Sequence, residues 1–100
     1  MEKYAWKGKV LEGKIDEYIK RHNEIWPEMT KELKRAGIYN YTIWNSGNDL
    51  FGYYECDSIE YTSSIKENSA IIKKWNEYMS DILVLDTKTQ PLLKQVFSLD

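Results

Sequence analysis

Two alternating runs on either side of one tight-turn signal constrain this chain most. Tyr39–Asn45 sets Tyr39, Tyr41 and Ile43 against Asn40, Thr42 and Trp44, and Leu50–Cys56 follows after Ser46-Gly47-Asn48-Asp49. Strand side chains alternate with period two, and a short Gly/Asn turn between two such runs predicts an antiparallel hairpin. The flanking segments repeat a strand and a helix on each side. Before the hairpin, Tyr4–Leu11 alternates, with Tyr4, Trp6, Gly8 and Val10 on one face. Gly8 on that face leaves space for a ligand or a neighbouring ring. From Lys14 the residues Ile15, Tyr18, Ile19 and His22 follow helical spacing, and Met29, Leu33 and Ala36 carry a second helical face to a stop at Gly37.

After the hairpin, Asp57 and Ser58 offer caps, Asp57 with Glu60 in capping-box spacing, for a short helix over Ile59–Glu67. Ala70–Leu83 then carries Ile71, Ile72, Trp75, Tyr78, Met79 and Ile82 as a long helix, Val84–Pro91 reads as a loop, and Leu92–Leu99 as a fourth strand. Strand, helix, strand, strand, helix, strand is the α+β, ferredoxin-like split βαβ order: a four-stranded antiparallel sheet with helices on one face. The other face is left bare and rich in aromatics. Pairing two such sheets into a homodimer covers it economically.

At 100 residues and 42% hydrophobic content the chain forms one domain, residues 1–100, with one core. Its 14 basic residues face 16 acidic ones, without the clustered excess of Lys and Arg that phosphate neutralisation needs, so no nucleic-acid partner is expected. No apolar run approaches the roughly 18 residues of a membrane span, and no signal peptide is visible; the expected location is cytoplasmic. One His and one Cys do not make a recurring metal-ligand set, and neither a phosphate-binding glycine loop nor a nucleophile elbow is present. Neither metal nor cofactor is expected. Cys56 reads as a buried core thiol.

Four Trp and eight Tyr exceed what a core of this size needs, and aromatic excess suits sugar-binding pockets and subunit interfaces. The single histidine lies in Tyr18-Ile-Lys-Arg-His-Asn-Glu-Ile-Trp-Pro-Glu, ahead of a helix-interrupting proline. Tyr18 and His22, four residues apart, share a helix face and set a phenol beside an imidazole. On pattern alone His22 is either an acid/base group, titrating near neutrality, or a hydrogen-bonded histidine at a helix end. Tyr18, Tyr41 and Trp75 likewise read as cavity walls or as core.

The His-Asn-x-Ile-Trp-Pro-Glu run, the Gly37-Ile-Tyr-Asn-Tyr41 segment, the Lys74-Trp75 to Tyr78-Met79 helix and the closing Gln95-Val-Phe resemble the L-rhamnose mutarotase family along essentially the whole chain. The resemblance implies a dimeric α+β barrel that interconverts the α and β anomers of L-rhamnose, or a close 6-deoxyhexose, by acid/base-catalysed ring opening and closure without cofactor. It implies His22 as general acid and Tyr18, Tyr41 and Trp75 as sugar-binding residues; Tyr18, set beside His22 by the helical spacing, is the expected acceptor of the anomeric proton. The family's pocket commonly carries two adjacent tryptophans; here the second position is Asn76, which exchanges a stacking wall for a hydrogen-bonding amide in the sugar site. Two other readings stand beside it: a dimeric-barrel monooxygenase, by analogy of fold alone, and a sugar-binding module without turnover, in which the same pocket binds and His22 only hydrogen-bonds.

Overall fold

The computed structural model describes residues 1–84 and 93–99. Strand β1 (Glu2–Lys9) leads to α1 (Ile15–Asn23) and α2 (Pro27–Arg35); the hairpin β2 (Tyr39–Ser46) and β3 (Asp49–Cys56) follows, then α3 (Ile59–Glu67) and α4 (Ala70–Met79). The sheet among the described residues has three antiparallel strands in the order β1-β3-β2. The expected four-stranded sheet is therefore corrected. Leu92 lies outside the described residues, residues 93–99 hold no strand, and the Leu93 N–H donates to Ala5 O at 2.9 Å. That bond lies on the edge of β1 away from β3, where the fourth strand of a split βαβ sheet would lie. Alternation in sequence permits a strand, but only a paired edge makes one.

β3 is the middle strand and alternates strictly between half-buried and buried, with Leu50, Gly52, Tyr54 and Cys56 facing the helices. Leu50 joins Tyr18, Met29, Ile72, Trp75 and Met79 in one core cluster; Tyr54 and Cys56 join Ala36 and Ile38 in a second. The opposite face presents Phe51, Tyr53 and Trp44, the last 68% exposed.

Chain breaks fall where backbone chemistry demands them. Trp26 is extended (φ −62°, ψ 135°) ahead of Pro27, which occupies the first helical position of α2, where its missing N–H costs nothing. Gly37, at φ +86°, ends α2: its N–H donates to Lys34 O and the Ile38 N–H to Leu33 O, a left-handed cap that glycine adopts without strain. Ser58 caps α3 by accepting the Tyr61 N–H, so the expected Asp57 capping box does not form; Asp57 instead accepts the Tyr39 hydroxyl. Ser69 caps α4, accepting the Ile72 N–H while donating to Glu32 of α2 at 2.7 Å. α4 ends at Met79 and not at Leu83, because Leu83 bridges to Val10 and the Leu11 N–H takes the Ile82 carbonyl. The loop expected at Val84–Pro91 lies outside the described residues, except that the Val84 N–H donates to Lys9 O.

No helix among the described residues is long and apolar enough to cross a membrane.

Candidate functional site

His22 sits in the last turn of α1, whose acidic first turn (Asp16, Glu17) and basic last turn (Lys20, Arg21) complement the helix dipole. Its ring stacks on Tyr18 with centroids 4.2 Å apart and lies perpendicular to the ring of Trp75 of α4, centroids 5.4 Å apart. Trp75 in turn packs edge-on against Trp26 at 5.1 Å and tilts against Tyr78 at 5.7 Å. The helix interruption at Trp26-Pro27 thus supplies one wall of the histidine's surroundings. Nδ1 of His22 lies 3.0 Å from the backbone carbonyl of Tyr18. A carbonyl only accepts, so Nδ1 carries the hydrogen and Nε2 of the neutral ring keeps its lone pair for a ligand. Burial lowers the imidazole's pKa below 6.5 and outweighs the opposing effect of the Tyr18 carbonyl bond. The neutral base therefore predominates at pH 7.

Arg21, next to His22, ties α1 to the end of α4. It donates to Glu17 at 2.9 Å, to Asp81 at 2.8 Å and to the Tyr78 carbonyl at 2.8 Å, with its guanidinium 4.4 Å over the Tyr78 ring. These bonds hold Arg21 cationic and pull the Asp81 carboxyl below its usual range.

The sheet provides the facing wall. Pairing of β2 with β3 slips between Tyr39, opposite Glu55, and Thr42, opposite Tyr53; one extra residue is inserted, and Asn40 takes φ 51°. This β-bulge overturns the expected common face of Tyr39 and Tyr41. Tyr39 pairs on the outer face, whereas Tyr41 turns inward against Tyr54, ring centroids 5.1 Å apart. Tyr41 Oη accepts a hydrogen bond from Trp6 Nε1 at 3.1 Å. Burial pushes the Tyr41 phenol up to about 12 and raises that of Tyr18 as well, so both stay protonated at neutral pH.

Between the walls lies a cavity of about 670 Å³. All five residues singled out from the sequence, His22, Tyr18, Tyr41, Trp75 and Asn76, line it. They contribute unequally. Trp75 is only 6% exposed and packed into the core, so little of its ring is open to the cavity, while Asn76 is exposed.

Among the lining residues not singled out for the cavity from sequence, Trp6 and Lys66 carry polar groups. Trp6 was assigned only to a strand face, although Gly8 beside it signalled room for a ring. Lys66 of α3 places its ammonium 5.7 Å and 5.4 Å from the ring centroids of Tyr4 and Tyr54, and burial lowers its pKa. Its helix position gave no signal, because the sheet face it meets is remote in sequence. Among the described residues no group of three His, Cys, Asp or Glu could hold a metal ion.

The cavity thus unites a neutral imidazole, protonated phenols, an amide, the Lys66 amino group and apolar walls, a set suited to proton exchange with a hydroxyl-bearing ligand. Comparison with known proteins points the same way. The family model for L-rhamnose mutarotase matches residues 3–99. An L-rhamnose mutarotase of Clostridium beijerinckii is 43% identical over 95% of either chain. The crystal structure of an L-rhamnose mutarotase from Formosa agariphila superposes with a TM-score of 0.86 at 28% identity, covering 100% of both chains. A dimeric ferredoxin-like protein from an uncultured marine organism shares the fold alone, with a TM-score of 0.60 at 18% identity over 98% of this chain and 96% of that one. The chain belongs to the L-rhamnose mutarotase family.

Proposed function

We propose that this protein is an aldose mutarotase that interconverts the α and β anomers of L-rhamnose or a close 6-deoxyhexose. One observation carries the reading beyond family membership: His22, with Nδ1 committed to the Tyr18 carbonyl, lines the same cavity as the phenols of Tyr18 and Tyr41. Opening a pyranose requires loss of the anomeric hydroxyl proton and gain of a proton at the ring oxygen. Neutral His22 takes the first at Nε2 while the ring C–O bond breaks. The Tyr18 phenol, stacked on the imidazole, gives the second. The C1 carbonyl then rotates and both transfers reverse on closure, so His22 acts as the general acid in that half of the cycle. Transfer at both oxygens together keeps the buried pair from standing as an isolated charge. This order exchanges the opening roles expected from the sequence, because burial favours the neutral imidazole and the protonated phenol.

Tyr41 and Asn76 hold sugar hydroxyls and Trp75 meets an apolar C–H face. The same reading takes residues 1–100 as one mutarotase domain that works in the cytoplasm as a homodimer without cofactor. The half-covered outer sheet face and the exposed Val96, Phe97 and Leu99 (88, 77 and 86%) support a second copy as partner.

Anomer-exchange NMR of L-rhamnose with catalytic amounts of protein tests the function, with L-fucose and other hexoses run alongside. Accelerated exchange that His22→Ala removes is the expected result. Exchange no faster than in buffer overturns the activity, and an unaltered rate in His22→Ala overturns the role of His22.

A further inference from the structure

Trp6 stands opposite Gly52 in the β1–β3 ladder. An ideal Cβ on Gly52 would lie 2.0 Å from Trp6 Cε2 and 2.2 Å from Nε1, and one on Gly8 would lie 3.1 Å from Cζ3. The indole therefore rests on two glycines, running from β1 over β3 toward β2 with its N–H directed at Tyr41 Oη, 3.1 Å away. Any side chain on Gly52 would displace the ring.

We propose that Trp6 is a positioning residue: by occupying a lone pair of Tyr41 Oη, it obliges Tyr41 to offer its hydrogen, and not a lone pair, to an oxygen of the bound sugar. The inference rests on the mutarotase reading of the same cavity. A phenol has one hydrogen, held near the ring plane on one side of the oxygen or the other, and a donor that fills one side sends it to the opposite one. Trp Nε1 can only donate, so this contact admits one polarity. Among the described residues Tyr41 donates to no side chain, and its ring lines the cavity. At neutral pH burial keeps the hydrogen in place. The site so built selects a ligand with an acceptor oxygen, a hydroxyl or ring ether, at the Tyr41 position.

Trp6→Phe keeps an aromatic ring over the glycines and removes the donor. Anomer-exchange rates measured over a range of L-rhamnose concentrations should show KM raised about 2- to 10-fold with kcat changed less, as for loss of one neutral hydrogen bond. Tyr41→Phe should raise KM similarly. The double variant should be no worse than Tyr41→Phe alone, because Trp6 acts through the hydroxyl that is already gone. Gly52→Ala leaves both partners present but pushes the indole aside, and should give the same KM rise; it carries the test if circular dichroism shows Trp6→Phe unfolded. A wild-type KM in folded Trp6→Phe, or effects that multiply in the double variant, overturns the role of Trp6. Absence of catalysed exchange by the unaltered protein strikes the mutarotase reading itself, and this inference with it.

Discussion

The two walls of the cavity are held by different physics. On the helix side, His22 is fixed by neighbours close in sequence: Tyr18 four residues back gives both a stacking ring and a backbone acceptor, and Trp26 four residues on packs against Trp75. On the sheet side, Tyr41 is aimed by a bulge and held by Trp6, a residue 35 positions away. The helix wall merges with the core, through buried Tyr18 and Trp75. The sheet wall depends on two missing side chains, Gly8 and Gly52. With the roles proposed above, chemistry falls on the wall built from neighbours close in sequence, and ligand orientation on the wall where a small change of residue moves a ring.

The contrast breaks most sharply at His22. His22→Ala should lower the catalysed anomer-exchange rate by about 10²- to 10⁴-fold, the usual worth of a positioned acid/base group. An intact rate would move the chemistry away from the helix wall. Trp75→Ala should cost about 3–5 kcal/mol of folding stability, as expected for emptying a buried tryptophan site, read from the midpoint of urea unfolding. A much smaller loss would show that Trp75 is a ligand platform more than a core residue.

A graded effect comes from pH. Burial holds the folded His22 pKa below the unfolded value near 6.5, so the unfolded state binds more protons between the two. The associated stability is fully present above about 6.5 and is lost as pH falls through the folded value. If His22 opens the ring as a base, kcat/KM should follow the same direction, flat at neutral pH and falling with acid, with a midpoint below 6.5. A rate that instead falls as pH rises through that range would make the imidazolium the working form. The smallest effect is expected at the exposed Arg21–Asp81 ion pair: Asp81→Asn should lower the thermal midpoint slightly, and the difference from the unaltered protein should shrink as salt is added.

Much of the site could be read from sequence because much of it is local. The i, i+4 relation of Tyr18 and His22 needs only helical geometry, and the Trp26-Pro27 interruption and the Gly37 stop follow from backbone chemistry. Tyr41 was picked out for the right cavity with the wrong companion, since alternation set Tyr39 on its face. The bulge at Asn40 is invisible to a period-two reading, which counts residues along one strand and not against its partner. Trp6 escaped for a related reason: Gly8 advertised space, but Gly52, the glycine that receives the indole, becomes its neighbour only through the β1–β3 register.

By itself the sequence determined the order of elements from β1 to α4, the helix boundaries set by Pro27 and Gly37, and the pairing of an imidazole with a phenol. These depend on residues a few positions apart, whose relations survive any tertiary arrangement. Only the tertiary structure decided that residues 93–99 add no strand within this chain, that Tyr39 and Tyr41 part company, and that burial leaves His22 neutral. Register, polarity and pKa depend on what lies across the sheet or fills the space around a ring, and those neighbours are chosen by packing.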